Sequence, residues 1–562
     1  MAEKIKVSHD ANDEVTFSVR DYHQRTKHSL EKYAAAPETL DWSLQPDAFR
    51  SFANCPKITL SLNADSISTS YAALYDADKI PPQSFSLANI ASLFELSFGL
   101  SAWKQYGPDK WALRCNPSSG NLHPTEAYLV HPDNMLLRDE LETGIYHYRS
   151  DDHLLEQRCN IKQELSVLQA PQPESQQGFV IGLSSIHWRE AWKYGERAYR
   201  YCQLDIGHAI ATLSYAAATL GWHVKLLDNI SDKDINTLLG LKQPDCFGKA
   251  EKESPDALLY VSTTVSPDLS STTSVLKQLC EQLDETLWVG KANILDRHHM
   301  YKWPVIEQVS QAAEKPETIK QVKSFTATTS LSFSTESEEI KASQIIKQRR
   351  SAQAFDSKTI LPLETFYSIL EKVLPGNAVP WNSIDLEPQI HLVFYIHRVE
   401  GLQPGLYAMP SYPDAKTLLQ ANMRDEFSWE KVASCPQHIP LYELVSAKCQ
   451  NAARKLSCHQ PIAGDSAFSV SMLAEYATAL EKGDWYYRFL HWQAGIIGQV
   501  LYLEAEAANV RGTGIGCFFD DAVHQTLGIE NDTLQVVYHF TVGTPIVDQR
   551  IISLPPYTHL KR

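Results

Sequence analysis

The sequence predicts an α+β protein made of two tandem copies of one fold, and three observations carry that prediction. First, a faint long repeat runs through the chain. Tyr199-Arg200, Gly207 and Leu239-Gly240-Leu241 recur as Tyr487-Arg488, Gly495 and Leu527-Gly528-Ile529, each mark 288 positions further on. Upstream, Gly144-Ile145-Tyr146 recurs as Gly405-Leu406-Tyr407, and Pro117 with His123-Pro124 faces Pro380 with Glu387-Pro388 at a slightly shorter offset. A constant spacing across one long helical segment and its exit is a stronger sign of duplication than any single match. Second, runs of helical periodicity alternate with short apolar runs around one long helix in each half. Third, polar stretches separate the halves. Each copy then spans roughly 220–260 residues, the size of one large domain.

The elements follow in order. Residues 87–101 (LANIASLFELSFGLS) have apolar positions at helical spacing. Residues 126–130 and 179–183 read as short buried strands, and residues 196–220 as a long helix stopped near Gly221. Residues 262–275 (STTVSPDLSSTTSV) are Ser/Thr-rich and residues 310–340 are polar and acidic, so both read as surface or flexible connection. Between them, residues 276–309, with Trp288, Tyr301 and Trp303, read as a short ordered bridge packed on the body. The second copy has helix 363–373, strand 390–396, helix 485–509 and strand 534–542. The expected division is 1–265, a linker or bridge over 266–340, and 341–562.

Composition narrows the function. The 562 residues allow three or four domains at ~150 residues each, or two large ones, and the repeat selects the second. Hydrophobic residues at 43% and charged residues at 21% exclude a disordered chain. With 51 Lys+Arg against 67 Asp+Glu, the net charge of −16 and the lack of a basic block argue against nucleic acid or an anionic membrane as partner. No apolar run reaches the length of about 18 residues that a membrane helix needs. The N-terminal MAEKIKVSHDANDEVTF lacks the apolar stretch of a signal peptide. The ten cysteines form no CxxC, so reduced thiols in the cytoplasm are expected. Cys458-His459 alone is too little for a metal site, and no metal is expected.

Four motifs carry chemistry. Lys347-Gln348-Arg349-Arg350-Ser351-Ala352-Gln353-Ala354-Phe355 places two guanidiniums and a hydroxyl before an apolar anchor. An arginine fork suits a phosphate, although the stretch by itself is equally a solvated basic turn. Arg114 to Glu126 contains Pro117-Ser118-Ser119-Gly120-Asn121, where Pro and Gly fix a loop and the hydroxyls and amide can read a heterocycle edge; an ordinary Ser/Asn turn has the same look. Trp192-Lys193-Tyr194-Gly195 leads through Tyr199-Arg200-Tyr201 to Asp205-Ile206-Gly207-His208. Lys193 beside Tyr194 can serve as an acid/base pair if burial lowers the lysine pKa, but an amphipathic helix start gives the same pattern. Arg511-Gly512-Thr513-Gly514-Ile515-Gly516-Cys517 follows a long helix, and its glycines permit close backbone approach to a flat ligand or tight packing. It is not the strand–GxGxxG–helix dinucleotide fingerprint, and no P-loop, HExxH or GxSxG is present. His208 reads as a buried, hydrogen-bonded histidine.

Together these residues resemble the FMN-dependent nitroreductase superfamily, and within it the SagB/ThcOx-type dehydrogenases that include the azoline oxidases of thiazole and oxazole peptide biosynthesis. The resemblance covers most of the chain as two fused nitroreductase-like domains forming an intramolecular pseudo-dimer. Arg349-Arg350-Ser351, with Gln353, matches the family's phosphate-binding start. Pro117-Ser118-Ser119-Gly120 matches the segment that reaches in from the partner subunit. Lys193-Tyr194-Gly195 through Gly207-His208 is similar to the subfamily's KYG…YRY…GH signature, the most specific match. Gly512 to Gly516, with Gly514, Ile515 and Gly516 nearest, resembles the turn beside the isoalloxazine. Gln549-Arg550 resembles a second basic phosphate contact.

The departures are complementary. In place of RRS the first copy has Asp65 to Tyr71, without arginine. In place of PSSG the second copy has Pro380-Trp381-Asn382-Ser383, and it has Glu481-Lys482 where Lys193-Tyr194 would recur. If the family's cross-subunit geometry holds, the chain has one working FMN site and one dead one, hence one FMN per chain. The resemblance implies that the flavin takes a hydride equivalent from an azoline-like ring in a peptide or related small substrate. Lys193 or Tyr194 would remove the accompanying proton, and dioxygen could reoxidise the flavin. Two alternatives stay open: an NAD(P)H-dependent nitro- or quinone reductase, and a non-catalytic subunit of a peptide-modifying complex with a vestigial flavin site. A modified-peptide or small-molecule substrate, other peptide-modifying enzymes as partners, and a monomeric pseudo-dimer or a homo-oligomer are the expected associations.

Overall fold

In the computed structural model, residues 17–76, 79–131, 137, 140–161, 178–283, 285–319 and 340–560 are described. Residues 1–16 and 320–339, which include most of the sequence read as a signal-free N-terminus and most of the expected acidic linker, lie outside the described residues.

Two helices form the centre. Ala198–Ala218 is buried along its whole length, and Tyr486–Ala507 nearly so. Neither is a surface helix with one wet face. They cross at Gly207 and Gly495, where a methyl group would stand 2.2 Å from the Trp492 carbonyl oxygen or from that of Leu204, respectively. The crossing is reciprocal, because Leu204 and Trp492 are themselves 288 positions apart. Only glycine allows backbones that close.

Each half carries an antiparallel sheet of seven strands. The first runs Lys57–Thr59, Leu154–Asn160, Gly144–Arg149, Thr125–His131, Gly178–Ser185, Ser254–Ser262, His223–Leu226. The second runs Glu430–Lys431, Tyr442–Ser446, Gly405–Met409, Ile390–Ile396, Phe468–Glu475, Leu534–Gly543, Arg511–Ile515. Six of the seven strands correspond in spatial order and every pairing is antiparallel, as a duplicated fold requires; the outer strands Lys57–Thr59 and Glu430–Lys431 come from different places in the chain order of their halves. One large apolar core runs through both halves.

Reciprocal arms tie the halves together. Before the first copy, helix Val19–Arg25 is followed by His28, whose N–H donates to Asp520 at 2.9 Å. Before the second, helix Pro304–Ala312 is followed by Lys315, whose N–H donates to Asp232 at 2.9 Å. Each aspartate also holds an arginine from the opposite central helix: Arg200 to Asp520 at 2.8 Å and Arg488 to Asp232 at 2.5 Å. The bridge expected over 276–309 therefore packs on the body, and its last helix is the second copy's arm.

Three sequence expectations are corrected. The helix over 87–101 is Leu87–Ser97, and Leu100–Tyr106 is a strand. The apolar run continues into a three-stranded sheet with Asp109–Arg114 and the C-terminal strand Ile552–Leu554, a partner that no local pattern announces. The stretch 262–275 is not all connection. Asp268 caps a helix over Leu269–Gln282, which buries Leu269, Thr273, Leu276 and Leu279 on one face and turns Ser270 and Ser274 outward. The glycine-rich Arg511–Ile515 is an edge strand rather than a turn, because it pairs with Leu534–Gly543. All ten cysteines are free thiols. No described helix is long and apolar enough to cross a membrane.

Candidate active site

The strongest chemistry collects in a cavity of about 450 Å³ where the two halves meet. Its basic end forms where helix Ala342–Gln348 stops and the chain turns extended at Arg349. The Ala352 N–H donates to the Gly512 carbonyl at 3.1 Å, which ties this turn to the glycine-rich strand. Arg349 is buried with its face over the Tyr502 ring at 4.9 Å and its Nε unpartnered. Arg350 donates to the carbonyls of Lys347 and Ser101. Burial, and then the neighbouring Arg349, push the Arg350 guanidinium down to about 10. Ser351 meets the Tyr502 hydroxyl at 2.9 Å, and Gln353 is exposed at the rim.

Two further cations converge there, Lys104 from the three-stranded sheet and Arg511 from the edge strand. Burial first, then Arg350 and Arg511, lower the Lys104 ammonium. Glu506 stands 3.8 Å from Arg511, and Asp548, which lines the same cavity, is bound to Arg550. Lys347 does not join them, being paired with Glu95 and Asp65 at 2.9 Å each. Four cations converging with so little counter-charge repel each other unless an anion sits among them. A phosphate monoester suits that donor set.

The opposite wall is the Pro117–Gly120 turn. The Ser119 N–H donates to Asp205 at 3.0 Å, and its hydroxyl does the same at 3.0 Å. The Ser118 hydroxyl accepts from the His123 N–H at 2.8 Å and meets Glu190 at 3.4 Å. Gly120 has φ +60, and a methyl group there would lie 2.5 Å from the Tyr194 hydroxyl. Gly514 and Gly516 are likewise crowded by tyrosines: a methyl group would come within 1.9 Å of the Tyr538 hydroxyl or 2.1 Å of the Tyr201 ring, so only glycine lets these rings pack against the strand that borders the cavity. Ile515 also lines the cavity.

Tyr194 ends helix His187–Tyr194, lines the cavity and packs edge-on against Tyr201 at 4.6 Å. Burial raises its phenol well above the usual range. Lys193 stands just behind, 5.0 Å over the Tyr194 ring and 5.1 Å over Trp42. Burial lowers its ammonium and Glu190 opposes that shift.

The predicted residues Arg349, Arg350, Ser351, Gln353, Pro117, Ser118, Ser119, Gly120, Gly514, Ile515, Gly516 and Tyr194 thus come together on one cavity. Lys193 borders it from behind. Arg550 stands apart: its side chain is 72% exposed and doubly bonded to Asp548. Arg511 and Lys104 hold the basic positions that sequence reasoning gave to Arg550.

Sequence reasoning also missed the floor. Tyr201, Asp205 and His208 face the cavity from successive turns of the first central helix, an i, i+4, i+7 pattern legible in the sequence. His208 Nε2 meets the Tyr538 hydroxyl at 3.2 Å. Cys517 borders the cavity as well, and its contacts with Cys458 and His28 outweigh burial and lower its thiol to about 5.

The position related by the repeat is filled. Tyr71 and Tyr75 both donate to Glu504, at 2.7 and 2.6 Å, and Tyr75 meets Tyr215. Lys225 from the equivalent edge strand pairs with Asp385 at 3.0 Å. The void bordered by Trp381 and Gln493 is about 10 Å³, room for no more than about one water.

Comparison with known proteins agrees with this architecture. The nitroreductase family model matches residues 75–248 and 346–544. A Methanocaldococcus jannaschii protein named as a nitroreductase is 26% identical over 163 residues, covering 27% of this chain and 76% of that protein. The crystal structure of an Anabaena variabilis protein described as a nitroreductase superposes with a TM-score of 0.66 at 21% identity, covering 94% of this chain and 99% of that one.

Proposed function

The chain belongs to the nitroreductase family, and from that premise we propose that it is an FMN-dependent dehydrogenase with one flavin site per chain, acting on an azoline-like heterocycle in a peptide or a related small substrate. The observation that carries this reading is the convergence of Arg349, Arg350, Arg511 and Lys104 at one end of a cavity shared by the two halves. Arg349, Arg350, Ser351, Arg511 and Lys104 would hold the phosphate. The Pro117–Gly120 turn and the Gly514–Gly516 segment would hold the rest of the cofactor, with Gln353 at the rim. Arg550 would join them only by leaving Asp548. When bound, FMN supplies a two-electron acceptor.

The chain's own residues supply positioning and proton handling. Tyr194 presents its hydroxyl to the cavity beside Gly120, where a substrate proton would be taken. Burial keeps the phenol protonated and lowers the Lys193 ammonium, so Lys193 in its amine form would receive the proton that the Tyr194 hydroxyl passes on. The filled Tyr71–Tyr75–Glu504 cluster favours a single site. The ten free thiols suit a cytoplasmic setting. We read 1–265 and 341–562 as the two units, with the helix at Pro304–Ala312 as the arm of the second.

The visible spectrum of the purified chain, followed by flavin release on denaturation, tests the proposal. About one FMN per chain is expected. Two per chain would overturn the single site, and a protein colourless with excess FMN would overturn the enzyme. Oxidation of an azoline model peptide without NAD(P)H separates this reading from an NAD(P)H-dependent reductase.

A further inference from the structure

A second group of titratable side chains lies directly behind the Ser118–Ser119 turn. Glu190 from helix His187–Tyr194 and Asp205 from the first central helix are each almost completely buried. They are held by adjacent residues of one turn, Ser118 at 3.4 Å from Glu190 and Ser119 at 3.0 Å from Asp205. The second Glu190 oxygen is buried without a partner. No arginine faces the pair. Lys193 is the one cation acting on Glu190, and the other titratable neighbours are Tyr194, Cys202 and Tyr538.

The repeat carries no carboxyl pair at the related place. At the position equivalent to Asp205, Gln493 accepts the Gln389 N–H at 2.9 Å and donates to the Glu387 carbonyl at 3.0 Å. The positions equivalent to Glu190, Lys193 and Tyr194 hold Thr478, Glu481 and Lys482. The filled half thus has a neutral amide where the open half has Asp205, and that amide bonds the segment before strand Ile390–Ile396. The half with the open cavity has two carboxyls beside Lys193 and Tyr194 instead.

We propose that Glu190 and Asp205 share one proton behind the turn and act as the acceptor for the proton that Tyr194 and Lys193 take from substrate. The role as acceptor rests on the function proposed above; the sharing does not. The step balances as a relay: burial keeps the Tyr194 phenol protonated, so as its oxygen takes the substrate proton its own proton passes to the Lys193 amine or to the ionised carboxylate of the pair, the flavin would supply the two-electron acceptor, and one proton leaves for solvent between turnovers. Two carboxyls so placed cannot both ionise easily, because burial disfavours each charge and each charge disfavours the other. Burial raises both, Asp205 to about 7 and Glu190 well above the usual carboxylate range, with repulsion from Asp205 second for Glu190. Asp205 and Glu190 are positioning residues here, acting through Lys193 and Tyr194.

Infrared spectroscopy of the full chain between pH 5 and 9 tests the sharing without turnover. A protonated-carboxyl C=O band should persist where ordinary carboxyls are ionised and disappear on titration. Carboxyl-labelled aspartate and glutamate in the unaltered chain assign it without any substitution. In Asp205→Asn the Glu190 midpoint should fall by about one pH unit or more, since the repelling charge is gone. In Glu190→Gln the Asp205 midpoint should fall likewise. Absence of the band in the unaltered chain, or unmoved midpoints in both variants, would overturn the sharing. If an azoline substrate is oxidised, the pH profile of kcat should shift in Glu190→Gln while FMN binding holds; an unmoved profile would overturn the acceptor role. If no azoline is oxidised, the proposed function and the acceptor role that rests on it fail together, and the infrared result still decides the sharing.

Discussion

Arg349 illustrates how a residue is committed to a ligand before any ligand is named. It is buried over the Tyr502 ring with Nε unpartnered, and three other cations face the same space. Arg349→Ala should weaken FMN binding by about 1.5–3 kcal/mol, the value of a hydrogen bond to a charged group. That is roughly ten- to hundredfold in Kd, measured by fluorescence titration of the apoprotein. Lys193→Ala should leave FMN bound and slow oxidation of an azoline peptide by roughly 10²–10⁴-fold, as loss of an acid/base group does. A third prediction concerns Cys517. The contact with Cys458, and then that with His28, lower the Cys517 thiol while the first contact raises Cys458, whereas burial raises Cys55, Cys115, Cys202 and Cys280. Mass spectrometry after brief iodoacetamide treatment at pH 7 should find Cys517 alkylated first.

Among the elements, the two central helices bear most on the site. Their crossing at Gly207 and Gly495 sets how closely the Tyr201–Asp205–His208 face approaches the edge strand Arg511–Ile515 of the other half. A methyl group at either glycine meets carbonyl oxygen, which cannot turn aside as a side chain can. Gly207→Ala and Gly495→Ala should each destabilise the fold by about 1–3 kcal/mol, the usual cost of overpacking. The two positions touch, so the double variant should depart from additivity. Denaturant unfolding of the four proteins measures both effects. The short strand Ile552–Leu554 matters differently: it fixes the hairpin that presents Lys104 to the cavity.

At the level of the whole molecule, the halves are joined by exchanged arms and reciprocal buried charge. Burial pushes the Asp520 carboxyl up, but Arg197 and Arg200 with the His28 N–H outweigh it and hold the carboxyl well below its usual range. A carboxyl depressed by folding contributes stability above its unfolded pKa of about 3.9, and loses it as pH falls through the folded value. Stability should therefore drop below about pH 4. Asp520→Asn should cost about 3–5 kcal/mol at pH 7, because Arg197 and Arg200 lose their shared partner. Its stability should then fall less steeply with acid, as denaturant unfolding from pH 3 to 7 would show.

The sequence by itself determined the elements and the duplication. The helix over 363–373 and the strand over 390–396 fall where their apolar spacing predicts, and the 288-residue repeat is realised in two sheets of matching order. Such features follow from burial repeated along a short stretch of chain, which local periodicity records. It also supplied most of the cavity's residues, since Arg349-Arg350-Ser351 and Pro117-Ser118-Ser119-Gly120 are contiguous motifs. Only the tertiary structure decided that Leu100–Tyr106 leaves its helix to meet the C-terminal strand, and that Lys104 and Arg511, not Arg550, join the arginine pair. It alone set Glu190 and Asp205 behind adjacent serines. These pairings link residues tens to hundreds of positions apart, and packing of the two halves fixes them with no periodic trace in the chain.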